Sequence, residues 1–396
     1  MTRERCYAAA VGLVNALGRG QEAVQQGLLE GDTSGMVLED GWLPAAPARV
    51  GRVAGELPAV PAALAEFDCR NNRLLLLALA QIEDAVAAAL ARLGPSRIGI
   101  VLGTSTSGIA EGEAAVAALI RVGALPAAFH YSQQEIGSAA PFLARHLGVT
   151  GPAYTVSTAC TSSAKALAAA RNLLRSGSCD AVVAGGVDSL CQLTVCGFAA
   201  LESTTSELTN PMSRNRRGIN IGEGAALLLL TRDKAPVELL GVGESSDAHH
   251  VSAPDPSGRG AEIAMRAALA DAGLAPAAVD YLNLHATATP KNDEMESHAV
   301  NRVFPRGIAC SGTKPLTGHT LGAAGATEAA FCWLAIHGDG RLPPHVWDGA
   351  TDPALPHLRL ARHGERFARD RGRVCMSNSF AFGGSNVSLL LGVCRT

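Results

Sequence analysis

The segment Leu93-Gly-Pro-Ser-Arg-Ile98-Gly-Ile-Val-Leu-Gly103-Thr-Ser-Thr follows an alanine-rich stretch, Leu74 to Arg92, and reads as helix, loop, short apolar strand and a turn of small polar residues. The same layout returns at Gly273-Leu-Ala-Pro-Ala-Ala-Val-Asp-Tyr281-Leu-Asn-Leu-His285-Ala-Thr-Ala-Thr289, after a second alanine-rich helix, Ala261 to Ala272. A second pair of segments agrees. Ile219-Asn-Ile-Gly222-Glu-Gly-Ala-Ala-Leu-Leu-Leu-Leu230 and Phe380-Ala-Phe-Gly383-Gly-Ser-Asn-Val-Ser-Leu-Leu-Leu391 are each a glycine turn feeding an apolar strand. A supersecondary unit repeated in this way predicts an α/β chain in two internally duplicated halves, 1–240 and 241–396, whose sheets are covered by helices. Ala181-Val-Val-Ala-Gly-Gly-Val187 is a further strand of the same kind. No flexible linker separates the halves, and the proline-rich stretches 43–61 and 341–356 read as ordered surface excursions because they carry tryptophan and large aliphatic residues.

Composition supports a deeply buried chain. Hydrophobic residues make up 47% of the 396 and charged residues 17%, against about 25% charged in an average globular protein, which excludes disorder. Lysine plus arginine number 33 and acids 36, for a net charge of −3 with no long basic run; a protein that grips a nucleic-acid backbone needs the opposite. No 18 apolar residues run together, so no membrane span is expected. The start, Met1 to Leu17, superficially resembles a secretion signal, but no small-residue cleavage site follows it, and strand, turn and then helix from Gln21 is the better reading. Ten cysteines run from Cys6 to Cys394 with no C-x-x-C pair, which argues against a cysteine metal site, and most lie in apolar runs as small buried hydrophobes. A reducing cytoplasm is the expected compartment.

Three places carry chemistry. In Val156-Ser-Thr-Ala-Cys160-Thr-Ser-Ser163 a β-branched run ends in small residues just before an alanine-rich helix, so Cys160 is placed at a helix N-terminus, where the macrodipole would lower a thiol pKa. The small neighbours leave room for a substrate. His285 ends an apolar strand, and His319 lies in the turn Gly312-Thr-Lys314-Pro-Leu-Thr-Gly-His319; neither has a carboxylate or cysteine at metal-ligand spacing. With the glycine turn Phe382-Gly383-Gly384, a cysteine and two histidines suit thiol-dependent acyl transfer: the thiol takes the acyl group, the histidines stabilise charge on a thioester oxygen, and backbone N–H groups bind the oxyanion.

Together these motifs resemble the β-ketoacyl-acyl carrier protein synthases of the Cys-His-His class, in the thiolase superfamily, nearly end to end. The elements that carry the likeness are Thr158-Ala-Cys160-Thr-Ser-Ser163, His285-Ala-Thr-Ala-Thr289 followed by Pro290, Asp293 and Glu296, Lys314-Pro-Leu-Thr-Gly-His319 with Glu328 downstream, and Ala381-Phe382-Gly-Gly-Ser-Asn386. The opening Gly12-Leu-Val-Asn-Ala-Leu-Gly18 is similar to the family's first strand and turn. The resemblance implies the layered α-β-α-β-α thiolase fold, with the nucleophile in the first half and both histidines in the second. It implies that Cys160 is acylated from an acyl-carrier-protein thioester, and that His285 and His319 hold the malonyl thioester carbonyl during loss of CO2. The N–H groups of Cys160 and Phe382 would be the oxyanion hole, with Lys314 and Glu328 a supporting ion pair. Phe380, Phe382, Gly383 and Gly384 would gate the acyl pocket, and Thr287 and Thr289 would bind substrate. Neither metal nor organic cofactor is implied, the substrate arriving on the carrier's phosphopantetheine.

Ala286, Ala288 and Ala381 depart from the family, which mostly has glycine there; a methyl makes positive φ costly, so stiffer or shifted turns are expected. The segments 67–74 and 214–223 resemble ketosynthases of bacterial aryl polyene clusters, which extend aryl-primed conjugated chains. Carrier proteins are acidic, and Arg70 and Arg73 correspond to docking positions in the family, with Arg214, Arg216 and Arg217 a second candidate patch. The partner subunit is expected to be a second copy or a non-catalytic chain-length factor, with Tyr154 to Thr158 near the interface; a housekeeping fatty-acid enzyme is the remaining alternative. A chain-length factor would lack the nucleophile, a thiolase would need a second cysteine where Phe380-Ala-Phe382 stands, and the type III synthases prefer asparagine at the place of His319.

Overall fold

The computed structural model describes residues 4–368 and 372–393; Cys394 lies outside them. Ten strands form the frame: β1 (Tyr7–Asn15), β2 (Ile98–Gly103), β3 (Ala153–Val156), β4 (Ala181–Asp188), β5 (Gly224–Thr231), β6 (Val237–Ser246), β7 (Tyr281–Asn283), β8 (Ala309–Ser311), β9 (Val374–Phe380) and β10 (Ser385–Val393). The first five pair in the order β3-β2-β4-β5-β1 and the last five in the order β8-β7-β9-β10-β6, with Arg359–Leu360 added beyond β8. Directions match as well. β1–β5 and β4–β5 are antiparallel and β2–β4 and β2–β3 parallel; β6–β10 and β9–β10 are antiparallel and β7–β9 and β7–β8 parallel. Every strand thus has its equivalent five strands later, the duplication read from the two pairs of segments. The halves meet at Tyr7↔Glu238 and Ala8↔Val237, the short pairing of β1 with β6. The boundary expected at 240 falls inside β6, so the repeat itself divides between Thr231 and Val237.

Helices fill three of the five layers, and the two half-sheets fill the others. α1 (Arg70–Leu79) and α2 (Ala139–Leu147) cover the outer face of the first half-sheet, α3 (Ser162–Arg175) and α6 (Ala324–His337) lie between the halves, and α4 (Arg259–Ala272), with α5 (Pro290–Val303) against it, covers the second half-sheet. The stretch read as one helix over 74–92 is broken after Leu79, and a new helix starts at Glu83. Burial on both faces explains the uninterrupted apolar strands. In β5, Ala226, Leu228 and Leu230 enter the central core while Ala225, Leu227 and Leu229 enter the outer one, the alternation a pleated strand imposes. Burying each leucine contributes about 2 kcal/mol. α6 is buried all round from Ala324 to Ile336, as a helix enclosed between two sheets must be.

Close layer packing uses small residues. A Cβ on Gly103 would lie 2.3 Å from the Ser163 backbone nitrogen, so Gly103 lets the start of α3 press against the end of β2. That contact sets the depth of the turn that carries Cys160. No single helix among the described residues is long and apolar enough to cross a membrane; the bent pair 70–79 and 83–93 that passes by composition has its leucines packed in the outer core.

Candidate active site

Cys160 sits between β3 and α3, two residues before the helix begins at Ser162. Ala159 takes a left-handed φ of 52°, a strain on the order of 1 kcal/mol or more. The turn is held by its neighbours: Ser162 Oγ donates to Ala159 O and accepts from Thr158 N–H, and Thr161 Oγ1 donates to Thr158 O. The fold aims the thiol at a histidine from the other half. His319 Nε2 lies 2.9 Å from Cys160 Sγ, and the His285 ring stands nearly perpendicular to that of His319, at 82°, with centroids 5.4 Å apart. The ligating atoms of Cys160, His285 and His319 fall within 4.8 Å of one another, which would also suit a soft metal ion.

His285 follows β7, and its turn hangs from two carboxylates on α5. Glu296 and Asp293, three residues apart and so on one helix face, accept from the His285, Ala286 and Ala288 N–H groups at 2.8, 2.7 and 3.1 Å. Asp293 also accepts from Met212 N–H at 2.7 Å. These bonds hold Ala286 (φ 41°) and Ala288 (φ 61°) in the left-handed region, the conformation expected of glycine there. Ala381 is not at positive φ, whereas Gly383 (83°) and Gly384 (77°) are. His319 is fixed by its backbone: its N–H donates to Asn220 O at 2.7 Å and its carbonyl accepts from Gly222 N–H at 2.9 Å. Beneath both histidines, Lys314 Nζ donates to Glu328 Oε1 at 2.5 Å and also to the His285 carbonyl.

The electrostatics correct one expectation. A helix start was expected to depress the Cys160 pKa, yet enclosure in the core pushes it up to about 12, with the Lys314 charge pulling the other way. Desolvation, then the Lys314 ammonium, holds His285 and His319 well below the ordinary histidine range. The resting site is therefore a neutral thiol beside two neutral imidazoles. Burial likewise lifts Glu328 to about 6 and Glu296 to about 7.

A cavity of about 330 Å³ leads from Cys160, His285 and His319 past Phe380 and Phe382 to Thr287, Thr289 and Lys291. The Phe382 ring meets Phe198 at 5.4 Å. Gly383 and Gly384 form the turn behind Phe382, bonded to the loop 247–255 through Gly383 N–H to Val251 O and Asp247 N–H to Gly384 O. That loop, anchored by Asn386 Nδ2 to Asp247 Oδ1 at 2.7 Å, escaped the sequence reading, as did Asp188. Asp188 is fully buried and accepts from Thr104 Oγ1, the N–H and hydroxyl of Thr106 and the N–H groups of Ser105 and Ala323. Its position, at the end of the apolar run 181–187, was the available signal. The arginines lie apart from this centre. Arg70 forks onto buried Glu223, Arg73 pairs with Asp68 at 2.7 Å and is half exposed, Arg216 pairs with Asp352, and Arg214 and Arg217 are open to solvent.

The chain matches the models of the β-ketoacyl synthase N-terminal domain over residues 10–235 and C-terminal domain over 237–346. It belongs to the β-ketoacyl synthase family. This synthase is 34% identical over 310 residues to nodulation protein E of Rhizobium meliloti, covering 74% of the chain and 75% of that protein. It is 38% identical over 264 residues to a mitochondrial 3-oxoacyl-[acyl-carrier-protein] synthase of Arabidopsis thaliana, covering 61% of the chain and 57% of that protein. Among solved structures it is similar to the Xenorhabdus doucetiae ketosynthase ApeO, determined in complex with its chain length factor ApeC: 46% identity, TM-score 0.94, and coverage of 99% of this chain and 98% of that one. The likeness to the ishigamide ketosynthase/chain length factor has 27% identity and a TM-score of 0.88 over 100% of both chains.

Proposed function

We propose that this synthase condenses an acyl group held on Cys160 with a malonyl thioester carried by acyl carrier protein. The observation that carries this reading is the 2.9 Å approach of His319 Nε2 to the Cys160 thiol beside a second neutral imidazole. Sulfur attacks the acyl thioester carbonyl, its proton passing through His319 to the departing carrier thiol, so acyl-cysteine replaces one thioester by another. The N–H groups of Cys160 and Phe382 would hold the oxyanion. Malonyl thioester then enters, its carbonyl between the two imidazoles. Each is neutral and keeps one N–H to donate. Breaking the carboxyl C–C bond releases CO2 and leaves its electron pair as an enolate, whose carbon attacks the acyl-cysteine carbonyl. The C–S bond breaks, and the thiolate takes up a proton from solvent water, relayed through His319, to restore the resting thiol. Lys314 and Glu328 support the histidines, and no metal or organic cofactor takes part.

The acyl chain we assign to the aryl polyene type rests on the resemblance of 67–74 and 214–223 and on the 46% identity to ApeO. A chain-length-factor-like subunit is the partner this favours, in the cytoplasm. The exposed side of the helix Ile109–Val122, with Val116, Leu119, Ile120 and Val122, and Tyr154 on edge strand β3 supply an apolar surface suited to it. Carrier docking falls to Arg73 and the exposed arginines 214 and 217 rather than to Arg70, whose guanidinium is committed to Glu223.

Intact-mass analysis with acyl- and malonyl-carrier protein tests the reaction. Cys160 should gain the acyl mass; Cys160→Ala should not, and His285→Ala should be acylated yet release little CO2. Full acylation of the Cys160→Ala protein refutes the nucleophile, and normal CO2 release by the His285→Ala enzyme refutes the two-histidine step.

A further inference from the structure

His285, Thr287 and Thr289 occupy alternate positions of one segment, Lys291 follows in the first turn of α5, and all four line the cavity that ends at Cys160. Ala286 and Ala288 between them are fully buried. Along the wall, exposure increases outward: His285 is 1% and Thr287 7% exposed, Thr289 is half-buried, and Lys291 is open to solvent. The groups change in the same order, from an imidazole beside the nucleophile, through two hydroxyls 2.9 Å apart, to an ammonium at the rim. A phosphopantetheine arm presents the complementary series, a thioester at its tip, two amides along its length and a phosphodiester at its base. We infer that Lys291 binds that phosphate and so fixes how far the arm reaches toward Cys160.

The assignment rests on the carrier-thioester reading proposed above. Lys291 has the freedom the role needs. The chain has only four lysines, Lys165, Lys234, Lys291 and Lys314; Lys165 lies 3.5 Å from Glu244 and Lys314 is buried against Glu328, whereas Lys291 has no carboxylate within 4.0 Å among the described residues. The acids on the same cavity are Asp247, held by Asn386, and Glu202. An exposed ammonium meeting a phosphate is worth a few-fold in affinity, and salt screens it.

Acylation of Cys160 by acyl-4′-phosphopantetheine and by acyl-pantetheine, both free of carrier protein, isolates the phosphate. At low salt the phosphorylated arm should show a kcat/KM about fivefold higher. Lys291→Ala should bring the ratio close to one, Lys291→Arg should restore it, and high salt should shrink it in the unaltered enzyme. No preference in that enzyme, or a preference that survives Lys291→Ala, overturns the assignment. A footprint with an amine-acylating reagent is independent of turnover: phosphopantetheine should protect Lys291 more than pantetheine does, with Lys234 as the internal reference, and equal protection by the two arms overturns it. If neither arm acylates Cys160, the condensing reaction falls, while the footprint still decides Lys291.

Discussion

Replacing Lys314 by methionine isolates the buried ion pair beneath the histidines. Lys314 is 2% and Glu328 3% exposed, and Glu328 Oε2 has no hydrogen-bond partner among the described residues. Burial therefore outweighs the ammonium, and the Glu328 pKa stands at about 6 instead of 4.5. The folded state binds this proton more tightly than the unfolded chain, so stability falls as pH rises from 4.5 through 6. That rise corresponds to about 2 kcal/mol above the window. Without Lys314 the pKa climbs further and the ionised form has no partner. At pH 8 the loss should approach 3 to 5 kcal/mol, the range for breaking one side of a buried pair. At pH 5.5 the carboxyl is protonated and the loss shrinks to that of the bond to the His285 carbonyl, about 1 to 2 kcal/mol. With unfolding entropy near 2.1 cal/mol/K per residue over 396 residues, thermal melts should show Tm lowered by about 4 to 6 °C at pH 8 and about 1 to 2 °C at pH 5.5, each against the unaltered protein. Adding Glu328→Gln should recover most of the loss at pH 8. A loss equal at both pH values, or larger at pH 5.5, refutes the reasoning.

Because the Cys160 pKa is raised to about 12, iodoacetamide labelling of the unloaded enzyme, followed at Cys160 by peptide mass, should accelerate about tenfold per pH unit through pH 9; a plateau near neutrality would reveal a standing thiolate. Arg70→Glu should destabilise the fold by about 3 kcal/mol or more, since it sets a second carboxylate against buried Glu223, measured by denaturant melts. Arg73→Glu, which exchanges the half-exposed pair with Asp68 for a solvent-screened like-charge contact, should cost only about 1 kcal/mol and raise KM for carrier-bound substrate. An unchanged KM removes Arg73 from the docking surface.

The duplicated architecture was legible because each strand buried on both faces leaves an apolar run, as in 181–187 and 227–230, and because glycine marks the turns between runs. Cys160, His285 and His319 stood out because reactive groups among alanine, glycine, serine and threonine are conspicuous, whereas Lys314 was marked only by the family resemblance. Other features left a fainter mark or none. Asp188 and the pair Arg70–Glu223 look like ordinary surface charges until the fold closes around them. The loop 247–255 has no motif, yet it braces the turn behind Phe382. The break after Leu79 was hidden because Ala80-Gln-Ile-Glu83 continues a helix-forming composition.

Local pattern by itself determined the repeating layers and which small-residue turns hold reactive groups, since periodicity and turn chemistry act over neighbouring residues. Two decisions belonged to the tertiary structure. It brought Cys160 of the first half to within 2.9 Å of His319 in the second, a contact no spacing encodes. It also set the charge state of the site. A helix start favours a thiolate, but enclosure between two sheets removes the water that would solvate one, and desolvation is the larger effect; the same enclosure leaves both histidines neutral and able to donate to an enolate.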